Sequence, residues 1–379
     1  MPPETDIFIV GGGPAGLAAA IALRHQGFDV VVADSAQPPI DKTCGEGLMP
    51  DALEALASLG VCIDPNLAFR FRGIRFLGEA TSGERISVDA SFPRGFGLGV
   101  RRTCLHRALM NRAAAAGASF LWGAPVRGIS GNGVRIGGQI VRCRWIVGAD
   151  GENSRVRKWA GLDALPRPLS RFGFRRHYQA EPWTDCVEIY WGPGFQIYVT
   201  PVAPRQVCVA LTSRDSHLRL EQALIHFPEL ALKLRRAPIS STERGAVAAS
   251  RRLRRLCRGN VILLGDASGS VDAITGDGLR LSFEQAPLLA SALRADDWTL
   301  YEAAHRRLSR RPSLMAHLLL SLDRRAWLRK RALRALASEP RVFAKQLAMH
   351  VGALSPAAFA RGAILPLGWS ILTALVNGL

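Results

Sequence analysis

The chain has 379 residues, 48% of them hydrophobic, enough for two subdomains or one large α/β unit with a well-buried core. Forty-nine Lys and Arg against 31 Asp and Glu leave a net charge of +18. A charge that large attracts phosphates, nucleic acid or anionic lipid, although the arginine excess in an alanine-rich chain is equally explained by composition bias. The seven cysteines, at 44, 62, 104, 143, 186, 208 and 257, are scattered and never spaced CxxC; this excludes a disulfide framework and a zinc site and fits reduced cytosolic thiols.

The first residues enter a strand without a charged n-region or cleavage pattern, so no secretory signal is expected. Asp6 to Val10 reads as a short buried strand that runs through Gly11-Gly12-Gly13-Pro14-Ala15-Gly16 into the apolar helical stretch Leu17 to Leu23. That order is the context a dinucleotide fingerprint requires. Gly11 permits the tight turn, Gly13 lets the backbone approach a pyrophosphate, and Gly16 lets helix and strand pack closely. Pro14 and Ala15 open a helix whose N-terminus faces the phosphates with unpaired N–H groups. A second strand, Phe28 to Ala33, closes on Asp34, where a carboxylate accepts hydrogen bonds from an adenosine ribose.

A loop rich in Pro, Gly and charge follows, then a helix over 51–59. Residues 69–100 alternate polar and apolar, as in Arg85-Ile86-Ser87-Val88-Asp89, and predict strands of an inserted sheet. Leu105 to Ala116 predicts a helix, and Ser119 to Arg144 three short strands separated by Gly-Asn and Gly-Gly turns. Trp145 to Asp150 returns to the buried-strand pattern. Strands dominate from about 168 to 212, notably Val187 to Trp191, Gln196 to Pro201 and Gln206 to Thr212, which suggests a second sheet covering a cofactor. Asn260 to Asp266 is a third buried strand, and everything beyond Gly278 reads as helix.

Three separated signatures, Gly11-x-Gly13-x-x-Gly16, Gly148-Ala149-Asp150-Gly151-x-x-Ser154-x-x-Arg157 and Gly265-Asp266-Ala267, resemble in this order the flavoprotein oxidoreductases of the para-hydroxybenzoate hydroxylase and geranylgeranyl reductase superfamily. The resemblance implies an α/β fold: a Rossmann-like FAD-binding domain at 1–70, 101–165 and 255–300, interleaved with an antiparallel-sheet substrate domain at 71–100 and 166–254. A helical C-terminal region, 301–379, follows. It further implies FAD as cofactor and NAD(P)H as electron donor, with Asp150 along the pyrophosphate and Asp266 holding the ribityl hydroxyls. Gly276 and Gly278 open a helix whose N-terminus points at the flavin ring, where it stabilises negative charge. Arg102 matches an arginine that precedes a helix near the cofactor, and is equally readable as a solvated helix-start residue.

Lys42-Thr43-Cys44-Gly45 is similar to the prenyl reductase branch, in which this cysteine faces the substrate cavity; Cys44 is equally readable as a small buried residue. Ser268-Gly269-Ser270 also lies closer to the reductases. Their Tyr-x-Trp-x-Phe-Pro signature is absent, however, and Tyr198 and Thr200 stand in the corresponding strand. The expected function is therefore NAD(P)H-dependent hydroxylation of an aromatic or lipid-like hydrophobic substrate, with Cys44 and Tyr198 lining the site. Saturation of isoprenoid double bonds is the alternative, and a non-catalytic flavin- or lipid-binding membrane protein a third reading.

No histidine pair has metal-ligand spacing, and His177, His217 and His226 read as surface or core residues. Arg251-Arg252-Leu253-Arg254-Arg255 lacks an aromatic platform or helix-turn-helix pattern, so no nucleic-acid partner is expected. Arg324 to Leu336 packs six basic residues and Trp327 into a predicted helix, and residues 362–379 carry no charge. Both point to a helix on an anionic membrane surface, and hence to a cytoplasmic protein at the inner face of the membrane. Oligomeric state is not legible in the sequence.

Overall fold

The computed structural model describes residues 4–79, 83–162 and 170–361. The continuous apolar runs form the centre of a mixed sheet, as expected of strands buried on both faces. Its strand order is Cys257–Arg258, Val261–Leu263, Gln139–Gly148, Glu4–Val10, Val30–Asp34 and Ser119–Trp122. Of the five pairings along this path only the first, Cys257–Arg258 with Val261–Leu263, is antiparallel, and the other four are parallel. Helices α1 (Pro14–His25), α2 (Pro50–Ser58) and α3 (Arg102–Ala115) belong to this unit, with the short α4 (Arg155–Trp159) behind the second motif. Leu17, Ile21, Leu105 and Leu109 are fully or almost fully buried in one core with Ile7 and Ile9.

Four strands, rather than three, occupy the stretch after α3. Val126–Ser130 and Gly133–Ile136 form a hairpin, and the last run does not stop at Arg144. Gln139–Gly148 is a single ten-residue strand. Its first half pairs antiparallel with the hairpin and its second half parallel with Glu4–Val10, so a local turn signal and a buried run belong to one element.

The second sheet has seven strands in the order Arg244–Ala249, Ser170–Tyr178, Gln206–Ser213, Phe195–Ala203, Cys186–Gly192, Gly73–Glu79 and Arg85–Ser91. All neighbours are antiparallel except Gly73–Glu79 beside Cys186–Gly192. Of the strands expected between 69 and 100, only two join it. Ala68–Phe71 and Gly97–Val100 form a separate three-stranded sheet with Gly47–Leu48, which ties the loop carrying Cys44 to the second domain. Side chains alternate across a strand. Ile197 and Val199 pack under α5 (Leu220–Leu224) and α6 (Pro228–Arg235), while Val187, Ile189, Trp191 and Tyr198 face the other way.

That other side is covered by C-terminal helices. After α7 (Gly278–Arg294) come α8 (Trp298–Arg324), α9 (Ala326–Ser338), α10 (Pro340–His350) and α11 (Pro356–Phe359). The basic stretch from Arg324 is therefore not one helix: the chain turns at Arg325 (φ −121°, ψ 97°). Leu333 and Leu336 bury against Phe76 and Phe343, so the apolar face of α9 is spent on the core, whereas Trp327 is 55% exposed with the Arg331 guanidinium 5.3 Å from its ring. Among the described residues no helix is long and apolar enough to cross a membrane. The uncharged tail 362–379 lies outside the described residues.

Candidate active site

Parallel register brings the three signatures to one edge. Val10 lies opposite Ala33 and Gly148, and Gly148 opposite Leu263, so the loops carrying Gly11, Asp34, Asp150 and Gly265 all leave the sheet at its C-terminal end, where open α/β sheets bind ligands. The glycines divide their work. A Cβ on Gly11 (φ +112°) would lie 2.4 Å from the Ala149 carbonyl oxygen, and one on Gly16 only 1.9 Å from that of Gly11. Both are packing positions. A Cβ on Gly13 would meet no protein atom within 4 Å, which leaves that face of the turn open to a ligand. Asp34 accepts hydrogen bonds from the backbone N–H groups of Gly12 at 2.7 Å and Ala36 at 2.8 Å. His106, held neutral by burial, reaches the Gly12 carbonyl from the other side at 2.9 Å.

Asp150 accepts from the Ser154 hydroxyl and from the N–H groups of Arg155 and Val156, at 2.7 and 3.1 Å. Its carboxylate thus organises the start of α4. Arg157, buried, donates to the Glu152 carbonyl at 2.7 Å and to that of Ala267 at 3.1 Å, binding the second motif to the third. Gly265 (φ +60°) packs where a Cβ would be 2.6 Å from that of Ala15, so the third motif also touches the first. Asp266 differs from Asp34 and Asp150: it is exposed, and its carboxylate, unlike its backbone carbonyl, accepts no hydrogen bond from a described residue. Behind this turn the Ser268 hydroxyl donates to the Gly265 carbonyl at 2.7 Å and lies 2.9 Å from His305 Nε2, an imidazole pushed down to about 4 by burial.

Gly276 sits in the left-handed region (φ +72°), and Gly278 is the first residue of the 17-residue helix α7. The loop from Asp41 runs past this helix start. Lys42 is exposed, with Nζ 2.9 Å from where a Gly151 Cβ would stand. Cys44 is partly buried, and its sulfur accepts the Glu46 N–H at 3.4 Å. Arg102 begins α3 and donates its N–H to Glu46 Oε1 at 2.9 Å; its Nε is buried and has no hydrogen-bond partner among the described residues.

Sequence reading missed what holds that loop. Glu46, at φ +59° and 2% exposed, points inward. Its carboxylate meets His177 Nε2 at 2.6 Å and Arg175 Nη1 at 3.2 Å, while the Arg175 Nη2 bonds Asp41 at 2.8 Å. His177 is neutral, its pKa lowered by burial. No local pattern announces the cluster, because Glu46 and His177 are 131 residues apart and a lone histidine in a strand reads as core. Glu46, His177 and Cys208 place ligand atoms within 4.8 Å of one another. The Arg175 cation already neutralises the carboxylate, and burial together with the Glu46 charge holds the Cys208 thiol protonated, so the group is an ion-pair cluster rather than a metal site.

Between the sheet and the C-terminal helices lies a cavity of about 130 Å³. Gly45, Gly47 and Gly276 form its floor, Phe71, Phe76 and Ile189 its sheet wall, and Met315, Phe343 and Leu347 its roof. Cys44 adjoins this floor without being part of the lining. Tyr198 lines it, with its hydroxyl on Gln196 Oε1 and, at 3.3 Å, on the Ile274 carbonyl; burial raises its pKa, so it stays protonated.

Comparison with known sequences decides the family. The family described as FAD binding domain matches residues 4–311. This chain belongs to the FAD-binding domain family. Among curated proteins it is 27% identical over 329 residues to the menaquinone reductase of Mycolicibacterium smegmatis, covering 80% of each chain. It is 28% identical over 327 residues to the digeranylgeranylglycerophospholipid reductase of Methanocella arvoryzae, covering 78% of this chain and 80% of that one. Among solved structures, a geranylgeranyl bacteriochlorophyll reductase-like protein from Thermoplasma acidophilum superposes with a TM-score of 0.73 at 22% identity, covering 100% of both chains. The protein is an FAD-dependent oxidoreductase, and its residues fit the cofactor chemically: Gly13 leaves an open face, the Asp266 carboxylate is unengaged, the buried Arg102 Nε has no partner among the described residues, and α7 begins at Gly278.

Proposed function

We propose that this FAD-dependent oxidoreductase saturates carbon–carbon double bonds in a polyprenyl-type lipid, with NAD(P)H as electron donor. The observation that carries the reading is the cavity: apart from Tyr198, Thr200, Thr275, Gln346 and His350 its wall is hydrocarbon or glycine, and it opens from the loops that flank the flavin position. Such a wall binds an apolar chain through area alone, at roughly 25 cal/mol per Å² buried. FAD held here would supply, once reduced, the hydride for one alkene carbon while a protein group gave the other its proton, so that the substrate would gain two hydrogens and no oxygen. Tyr198, in the cavity lining, and Cys44, beside its floor, are the groups we assign to proton delivery. The lining offers no carboxylate to deprotonate a phenol, and the relatives named above are reductases of lipid-like substrates.

Oxygen-dependent hydroxylation is the second reading, favoured by Tyr198 and Thr200 where the reductases carry bulkier aromatics. The substrate class also fits a peripheral position on an anionic membrane, with Trp327 and the basic side chains around it at the interface. Reduced enzyme given prenyl lipids in liposomes, with and without oxygen, separates the readings. Two added hydrogens under strict anaerobiosis are expected, with a smaller yield from Tyr198→Phe and Cys44→Ser; a product that gains one oxygen atom, and only in air, would overturn the reductase proposal.

A further inference from the structure

A second cavity, about 780 Å³ in volume, lies behind the Gly265–Ser268 turn, between α8 and the strand pair Arg251–Arg252 and Gly269–Ser270. Eight arginines and three carboxylates line it. Four of the arginines have acidic partners: Arg171 with Asp323 at 3.0 Å, Arg214 with the same carboxylate at 3.6 Å, Arg251 with Glu152 at 3.3 Å and Arg306 with Glu302 at 3.7 Å. The last of these lies within one helix turn and joins an exposed Arg306 to a largely buried Glu302. The side chains of Arg252, Arg254 and Arg310, all exposed, make no ion pair or hydrogen bond with any described residue, and the exposed Arg324 makes no hydrogen bond but acts on the Asp272 carboxylate through its charge. Arg171 is 2% exposed, and its Nη2 is buried without a hydrogen-bond partner among the described residues. A guanidinium nitrogen buried without an acceptor is unfavourable, and the like charges of Arg252, Arg254 and Arg310 around one concavity repel one another. A polyanion removes both costs.

We propose that this groove binds the diphosphate or phosphate group of an anionic ligand. Arginine suits the task because its planar fork donates two parallel hydrogen bonds to phosphate oxygens. The helical face of α8 supplies Arg306, Arg310 and Arg324 to one wall and the 251–254 stretch supplies the other, so the basic run that carries no nucleic-acid signature becomes half of a small-molecule site. The groove shares Ser268 with the turn that carries Asp266, and Gln285, which also lines it, accepts the Gly265 N–H at 2.9 Å. The ligand therefore sits one peptide layer from the cofactor and outside the hydrocarbon cavity.

Two sources share this chemistry: a water-soluble diphosphate, such as the pyrophosphate of a pyridine nucleotide, and a phospholipid headgroup. The test uses the FAD-loaded full chain, titrated with inorganic pyrophosphate and followed by calorimetry. The double variant Arg252→Ala/Arg310→Ala is compared with Arg235→Ala/Arg236→Ala, which removes the same charge from exposed positions at the C-terminal end of α6. Pyrophosphate binding is expected for the wild type, weakened by about tenfold or more in the groove variant and unchanged in the α6 variant, with FAD content equal in all three. Competition by phosphatidate vesicles assigns the headgroup as source, and competition by NADPH alone assigns the nucleotide; either supports the site. Absence of pyrophosphate binding, or equal weakening in the two double variants, overturns it. Neither result depends on which reaction the flavin performs.

Discussion

Gly13→Val is expected to give a folded, colourless protein. Gly13 has extended backbone angles (φ −73°, ψ 179°) that any residue adopts, and its Cβ direction is empty, so valine meets no protein atom on the way to the native state. It does occupy the space through which the backbone approaches a pyrophosphate, and FAD affinity should fall by about a hundredfold or more, equivalent to roughly 3 kcal/mol. Gly16→Val makes the contrast. Its Cβ would stand 1.9 Å from the backbone oxygen of Gly11, which cannot move aside as a side chain can, so that variant loses the fold along with the cofactor. Visible absorbance of the purified proteins, beside far-ultraviolet circular dichroism, reads both. A yellow Gly13→Val protein with full FAD content would sink the assignment of this turn as the pyrophosphate site.

Glu46→Ala should be among the most destabilising single substitutions outside the hydrophobic core. The change removes the acceptor for His177, Arg175 and the Arg102 N–H at once, and breaking a buried pair from one side costs about 3–5 kcal/mol because the remaining charge has no counterion. Asp41 stays bonded to Arg175 at 2.8 Å, which places the expected loss at the lower end of that range. Glu46→Gln keeps an acceptor for the N–H and should lose less. Alanine also makes the left-handed conformation at this position no easier, since only glycine relieves it. Urea denaturation midpoints of the three proteins test the order wild type, Gln, Ala; equal midpoints for Ala and wild type would show that the cluster does not hold the Cys44 loop.

The parts of the molecule legible in sequence were those whose cause is local. Glycine spacing after an apolar strand located the first turn, and the runs ending at Gly148 and Leu264 located the other two loops, because strands buried on both faces announce themselves by composition. Which carboxylate stays unengaged could not be read that way. Asp34, Asp150 and Asp266 look alike as acidic residues at strand ends, yet the carboxylate of the first is occupied by the N–H groups of Gly12 and Ala36 and that of the second by those of Arg155 and Val156, and only the third is left open. Gln139–Gly148 was divided by its turn signals although pairing on both sides makes it continuous. The inward Glu46 and the cavity roof depend on contacts between residues more than a hundred positions apart, and neither periodicity nor motif spacing records those.

The roof has a consequence for how this enzyme divides its labour along the chain. The family match ends at residue 311, yet Met315, Leu319, Phe343, Gln346, Leu347 and His350, six of the nineteen residues around the hydrocarbon cavity, lie beyond it. Leu333 closes down on Gly78 at van der Waals distance or less for any added Cβ, so these helices are seated on the sheet rather than tethered to it. The match to the FAD-binding family thus covers the first four-fifths of the polypeptide, while about a third of the residues around the hydrocarbon cavity come from helices beyond it. On the function proposed above, a change confined to these helices would alter the girth of the accepted molecule and leave the FAD-binding residues as they are.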